Sequence, residues 1–389
     1  MTAGKDHNAG SGDAGEKPVD LNTLRNQIDD IDSQIHRLLN QRARCAQQVA
    51  EVKLREHASA AQFESSGESS SSQQLLFYRP EREAQVLKRV KDANEGPLAD
   101  DTVAYIFREI MSACLALEKP LDVAFLGPEG TFTQAAAIKH FGHAINSVPK
   151  ASIDSVFRDV EAGRCNYGVV PVENSTEGMV ALTLDAFINS PLKICGEVDL
   201  RIRLQLMQKD ADQQITKIIA HQQALAQCRR WLDAHYPGIP RQAVSSNGEA
   251  AKMAAADTSI AAVAGELAAE QYGLSVVAGD IEDLTNNTTR FLIIGREDVA
   301  PSGRDKTSIV VSARNVPGAL VRLLEPFEQA NVMLTRIDTR PSRSEAWTYL
   351  FFIEFEGHQQ DAVITDILKV IETHSQTYKI LGSYPRAAL

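Results

Sequence analysis

From Val19 to about Glu56, apolar residues return every three or four positions: Leu21, Leu24, Ile28, Ile31, Ile35, Leu38 and Leu39. This spacing predicts one helix of more than thirty residues, roughly 50 Å long. Its apolar stripe is more than the segment itself can cover, which predicts a partner helix supplied by a second copy of the chain. Residues 58–74 are Ser-rich and low in complexity, and read as a surface loop. A second helix is expected after Pro80, ending near Asn94–Pro97, and a third from about Asp100 to Leu117.

At Pro120 the period changes. Leu121–Leu126 reads as a strand, followed by a Gly-Pro-Glu-Gly turn and a helix over Thr131–His140. Strands at Tyr167–Val172, near Lys193–Leu200 and at Ser259–Ala264 alternate with helices up to about residue 296. That alternation predicts an α/β domain with largely parallel sheets, arranged as two lobes around a cleft. Beyond a polar linker at 296–304 the order becomes βαββαβ, the ferredoxin-like split unit, which carries no catalytic cluster of its own. The expected division is a disordered tail (1–18), a helical domain (19–119), an α/β domain (120–296) and an α+β domain (305–389).

The 389 residues carry a net charge of −11 and have no strongly basic run, which argues against nucleic acid as the main partner. An anionic metabolite then needs local clusters of Arg and Lys. The five cysteines are scattered and form no CxxC pair, which points to free thiols in a reducing cytoplasm and away from disulfides or a metal site. No apolar run approaches the roughly 18 residues of a membrane span, and the N-terminus lacks the apolar core of a signal peptide.

Two stretches carry candidate chemistry. Asn286–Ile294 (NNTTRFLII) places Thr288, Thr289 and Arg290 just before a short buried strand. It reads either as an Asn-rich turn whose threonines cap their own backbone or as a hydroxyl donor beside a cation. In the long helix, Arg42 and Lys53 are eleven residues apart and return to within about 20° of one face. Arg25, seventeen before Arg42, points about 100° away, so it would serve such a site only in a partner subunit. A solvated helix face explains the same spacing.

Eight ordered blocks resolve these alternatives. LRNQIDDIDSQIHRLLNQRARCAQQVAEVK, YRPERE and FREIMSACLALE resemble the three helices of the all-helical chorismate mutases. GPEGTFTQAA, GVVPVENSTEG and TTRF resemble the motif blocks of prephenate dehydratase, and GALVRLLEPF with TRIDTRP resembles the phenylalanine-binding motifs of ACT domains. Together they cover nearly everything from 19 to 384, and the chain is similar to the bifunctional chorismate mutase–prephenate dehydratases of phenylalanine biosynthesis.

The resemblance implies an intertwined dimer or higher homo-oligomer, a two-lobed periplasmic-binding-like dehydratase domain, and neither cofactor nor metal. It assigns carboxylate contacts of chorismate to Arg25 of the partner, Arg42 and Arg82, the ether oxygen to Lys53 and Glu118, and the substrate hydroxyl to Glu83. Arg79 stands where some relatives carry Asp, so that role is not carried over. Glu118 must be protonated to donate, which implies a mutase favoured by acid. For prephenate, the resemblance makes Thr289 the catalytic hydroxyl and Arg290 the carboxylate anchor. Thr131, Asn174 and Glu173 are expected to line the cleft, Glu173 either as a catalytic group or as a structural cap. His221 is expected to be structural. Phenylalanine is the expected effector at Gly318, Ala319, Leu320, Asp338, Thr339, Arg340 and Pro341, with Asp338-Thr339 where relatives carry Glu-Ser. Two rivals are a monofunctional dehydratase with an inactive, dimerising mutase domain and a two-lobed solute-binding protein.

Overall fold

The computed structural model describes residues 20–64, 78–313, 316–341 and 349–387. The helical unit is α1 (Leu21–Glu64), α2 (Pro80–Asp92) and α3 (Asp100–Glu118). α1 runs seven residues into the stretch expected to be a loop, because Ala58, Ala60, Ala61 and Gln62 favour helix and no Gly or Pro intervenes before Gly67. The remainder of that loop, Ser65–Ser72 included, and the 1–18 tail lie outside the described residues. α2 opens on Pro80, whose fixed φ suits a first helical position, with acids in its first turn and bases in its last. Only the later part of α1 packs on α3. The stripe from Leu21 to Leu39 stays exposed, Leu21 and Leu38 at 59% each.

The first lobe of the middle domain comprises β1 (Asp122–Leu126), α4 (Phe132–Phe141), β2 (Asn146–Lys150), α5 (Ile153–Glu161), β3 (Tyr167–Asn174), β4 (Gly178–Met179), α6 (Ala181–Asn189) and β5 (Lys193–Arg201). The second comprises β6 (Gln205–Gln208), β7 (Lys217–His221), α7 (Gln222–Gln227), α8 (Arg229–His235), β8 (Arg241–Val244), α9 (Asn247–Ala256), β9 (Ile260–Ala264), α10 (Glu266–Tyr272) and β10 (Ser275–Ala278). The chain then recrosses, and β11 (Thr288–Gly295) inserts between β3 and β5 of the first sheet. The sheets run β2-β1-β3-β11-β5 and β10-β6-β9-β7-β8. They are mixed rather than largely parallel. β11 returns antiparallel to both neighbours, and β6 and β10 also pair antiparallel, because a chain that crosses between lobes twice enters each sheet from the opposite side.

The lobes approach closely around residues 128–132 of the first lobe. A Cβ on Gly248 of α9 would lie 2.4 Å from Glu129 O of the first lobe, so only glycine fits there. The C-terminal domain is β12 (Asp305–Ala313), α11 (Ala319–Gln329), β13 (Leu334–Pro341), β14 (Tyr349–Glu356), α12 (Ala362–His374) and β15 (Ser375–Pro385), in sheet order β13-β14-β12-β15. α11 and α12 cover one face. The other face carries Val310, Phe352 and Leu381 into one apolar core with Leu292, Ile294 and Phe187 of the first lobe. Among the described residues no helix is long and apolar enough to cross a membrane.

Candidate active sites

The cleft between the lobes opens into two cavities. One, of about 640 Å³, is lined by Thr131, Phe132, Lys150, His221, Ser246 and Asn247. The other, of about 470 Å³, is lined by Thr176, Gln227, Arg229, Arg230 and Asn287 among others. Against the second lie the ends of two paired strands, with Thr289 of β11 in register with Asn174 of β3.

Backbone geometry fixes the orientation of Asn174. Its Oδ1 accepts from the N–H groups of Thr176 (3.0 Å) and Glu177 (3.2 Å) and from the Thr176 hydroxyl (2.5 Å). Its Nδ2 must therefore face the other way, where it donates to Thr289 Oγ1 at 2.8 Å and to Asn287 Oδ1 at 3.0 Å. Thr289 is 9% exposed, and its oxygen is already an acceptor, so its own proton is free to be donated. A directed hydroxyl donor is what this arrangement can supply.

Arg290 does not join it. Adjacent residues of a strand point to opposite faces, and Arg290 turns toward the C-terminal domain. Its guanidinium meets Glu197 (2.6 Å), Glu354 and the Tyr384 hydroxyl (3.4 Å), and Lys306 bridges Glu197 (3.0 Å) and Glu354 (3.2 Å). Burial alone would raise the Glu354 carboxyl, but Arg290 and Lys306 outweigh it and hold it down to about 2. The expected carboxylate anchor is thus an interdomain ion pair. Glu173 faces the same way. It pairs with Arg336 of β13, whose hydrogen bond holds the Glu173 carboxyl below its ordinary range, and Arg336 also binds Asp338. That engagement occupies the Glu173 carboxylate between the two domains.

Thr131 caps α4 without a side-chain cap bond. Its hydroxyl donates to Leu126 O at 3.1 Å, and it borders the first cavity, apart from the Asn174–Thr289 pair. His221 Nδ1 accepts from Gln223 N at 3.4 Å at the start of α7, and its ring lines the first cavity.

In the helical unit, Lys53 Nζ lies 3.5 Å from Glu118 Oε2, which joins α1 to the end of α3. That oxygen is buried and has no hydrogen-bond partner among the described residues. Arg42 reaches Ile110 O at 3.4 Å, while Arg25 and Arg82 are exposed. Glu83 is not brought to this group. It lies on the face of α2 turned to the middle domain, where Arg108 Nε binds it at 3.1 Å while Arg108 Nη1 donates to Lys139 O at 2.8 Å. Burial raises the Glu83 carboxyl, and Arg108 opposes the shift. Beside it, the Tyr78 hydroxyl is 3.1 Å from His140 Nε2, and burial lowers His140 to about 3.

In the C-terminal domain, Gly318 caps α11 at φ 76°, a left-handed conformation that favours glycine, with Ala319 and Leu320 next in the helix. Thr339 and Pro341 lie in the β13–β14 ladder. Arg340 grips Asp185 of α6 through both carboxylate oxygens, at 3.0 and 2.9 Å. Sequence reasoning missed Asn287, Arg108, Arg336 and Asp185. Asn287 carried a signal in its place two residues before Thr289, and Arg108 and Arg336 lie inside the FREIMSACLALE and TRIDTRP blocks; Asp185 carried none.

Three family models match in order: chorismate mutase type II over 24–119, prephenate dehydratase over 123–299 and the ACT domain over 307–373. The bifunctional chorismate mutase/prephenate dehydratase of Stutzerimonas stutzeri is 54% identical over 371 residues, 95% of this chain and 98% of that one. That of Aquifex aeolicus is 40% identical over 375 residues, 95% and 99% of the two chains. The prephenate dehydratase of Arthrobacter aurescens, solved in complex with L-Phe, superposes with a TM-score of 0.64 at 36% identity, covering 69% of this chain and 90% of that one.

Proposed function

The chain belongs to the bifunctional chorismate mutase/prephenate dehydratases, and we propose residue roles for its two reactions from the geometry of its sites. It rearranges chorismate to prephenate, then removes water and carbon dioxide from prephenate to give phenylpyruvate, on the path to phenylalanine. A match over both catalytic domains disfavours a monofunctional dehydratase.

The first reaction is pericyclic and needs no nucleophile. It needs a compressed dianion and donors at the breaking ether oxygen. Lys53 and a protonated Glu118 are those donors, with Arg42, Arg82 and Arg25 of a second copy on the carboxylates. The exposed stripe of α1 supports a homodimer in which that Arg25 arrives. Glu83 acts from the domain junction rather than on the substrate hydroxyl.

For the second reaction, the observation that carries the assignment is the Asn174–Thr289 hydrogen bond, which leaves the threonine proton free for the departing hydroxyl. The electron pair of the C1–carboxylate bond enters the ring as carbon dioxide leaves, and the C4–oxygen pair departs with the hydroxide. Aromatisation drives both. Thr131 lines the approach.

Phenylalanine is the effector, held where Gly318–Leu320 meets Asp338–Pro341. Support comes from the ACT match and from the L-Phe complex of the Arthrobacter aurescens protein. The test uses purified full-length protein and chorismate, following prephenate and phenylpyruvate separately with and without phenylalanine. Both products should form, and phenylalanine should suppress the second. Chorismate left untouched by a protein that still dehydrates prephenate would return the mutase domain to a dimerising role.

A further inference from the structure

Asn287 is 2% exposed and lies in the segment that carries the chain back from the second lobe into β11. Its side chain has two ends with different fates. Oδ1 accepts from Asn174 Nδ2 at 3.0 Å and from the Ser175 hydroxyl at 3.5 Å. Nδ2 is buried and finds no hydrogen-bond partner among the described residues. An orphaned buried amide donor costs about 1–3 kcal/mol, so a fold keeps one only where something else answers it.

A flipped amide does not remove the orphan. The Thr176 and Glu177 N–H groups are backbone donors and cannot rotate, so they fix Asn174 Oδ1, which fixes Asn174 Nδ2, which in turn requires an acceptor from Asn287. The Asn287 NH2 group must then face away from Asn174. Asn287 lines the 470 Å³ cavity, as do Arg229 and Arg230, cations suited to a dianion. Three carboxylates line the cavity as well: Asp283 accepts from the backbone N–H groups of Arg230 (3.0 Å) and Trp231 (3.2 Å), Glu282 Oε2 accepts from Leu204 N (2.9 Å) with its Oε1 unpartnered among the described residues, and Glu177 is exposed to solvent. Asn287 and Thr289 share the same Asn174 amide nitrogen, at 3.0 and 2.8 Å. One side chain therefore positions both residues.

We propose that Asn287 is a second catalytic donor of the dehydratase, placed with Thr289 on the oxygen that leaves C4 of prephenate. This rests on the reading of Thr289 given above. When the C4–oxygen bond breaks, the electron pair goes to that oxygen. The prephenate dianion becomes the phenylpyruvate monoanion, carbon dioxide and hydroxide, so charge and atoms balance with no acid consumed on the enzyme. A threonine hydroxyl is a poor acid, and one hydrogen bond leaves a nascent hydroxide poorly stabilised. Two fixed donors stabilise it as the charge develops.

The test compares Asn287→Asp, Asn287→Ala and Thr289→Val in the full-length protein with prephenate as substrate. Conversion of chorismate by the same preparations reports folding. Asn287→Asp keeps the acceptor for Asn174 but replaces the donor by a charged carboxylate, so a rise in KM for the dianion is expected beside the loss in kcat. The neutral Asn287→Ala removes the donor without adding a charge, and we expect its dehydratase kcat to fall about 100-fold or more with KM little changed, because the lost interaction belongs to the transition state. Asn287→Asp should fall at least as far in kcat, and Thr289→Val further still. If Thr289→Val is dead while Asn287→Asp keeps wild-type kcat, the proposal fails and the reading of Thr289 stands. A rise in KM alone would make Asn287 a ground-state contact and overturn its place on the leaving oxygen. Full activity in Thr289→Val would remove both.

Discussion

The dehydratase cleft and the mutase helices both receive a dianion, yet the single chain prepares them to different degrees. In the cleft, the donor group is held by a β ladder and by backbone N–H groups, so one folded protomer fixes Thr289, Asn174 and Asn287 within a few hydrogen bonds. In the helical unit, one protomer joins Lys53 to Glu118, while Arg25, Arg82 and the stripe from Leu21 to Leu39 remain in solvent. A sheet brings residues distant in sequence together within one chain. A long helix spreads its residues over tens of ångströms and needs another helix beside it to gather them. The dehydratase should therefore be a property of the protomer, and the mutase a property of the assembly.

The largest expected effect sharpens this contrast within one chain. Thr289→Val should cost the dehydratase about 1000-fold or more in kcat while chorismate turnover is kept. Lys53→Ala should do the reverse, lowering the mutase about 100-fold or more and sparing prephenate turnover. Steady-state assays of both variants on both substrates check this pair, and a loss of both activities in either one would break the separation. Next in size is complementation. When Arg25→Ala and Lys53→Ala proteins, each inactive as a mutase, are mixed and reassembled, about a quarter of the sites should regain both groups. No recovery would mean that Arg25 serves its own protomer.

A smaller effect is one of shape rather than size. Glu118→Gln should flatten the fall of mutase rate on the alkaline side, since an amide donates at any pH. An unchanged pH profile rejects a proton-donating Glu118. The smallest concerns the seam between the dehydratase and ACT domains. Glu354 is held down to about 2, so its contribution to stability is complete above the ordinary carboxylate range and is lost as pH falls from there toward 2. Thermal melts of wild type and Glu354→Gln should therefore converge as the pH is lowered through that window.

The proposed phenylalanine control would have a physical route in the same seam. Glu173 precedes Asn174, Arg290 follows Thr289, and both are ion-paired to the ACT sheet, through Arg336 and Glu354. Arg336 in turn holds Asp338 of the TRIDTRP motif. The two residues flanking the Asn174–Thr289 pair are thus tied to the domain that carries the TRIDTRP motif.

Much of this was legible in the sequence. The 3.6-residue period marks α1, short apolar runs mark β3, β9 and β11, and the βαββαβ order of the last domain follows from alternation and turns. The motif order identifies the family, and Thr289 stands out as a hydroxyl at the mouth of a buried strand. The short strands β6, β8 and β10 were missed, since four residues hold too little pattern to read.

What the tertiary structure alone decided is direction. Arg290 and Glu173 belong to functional motifs, yet the face each presents depends on which strands flank β11 and β3 and on what packs against the sheet. Glu83 turns to Arg108 because α4 of the next domain supplies Lys139 O for the same guanidinium. Asn287 becomes a donor only because Asn174, more than a hundred residues away, takes its oxygen. Residue type and local period are carried by neighbours along the chain. Which way a side chain points, and whether its second hydrogen bond is free, is set by partners that only folding brings near.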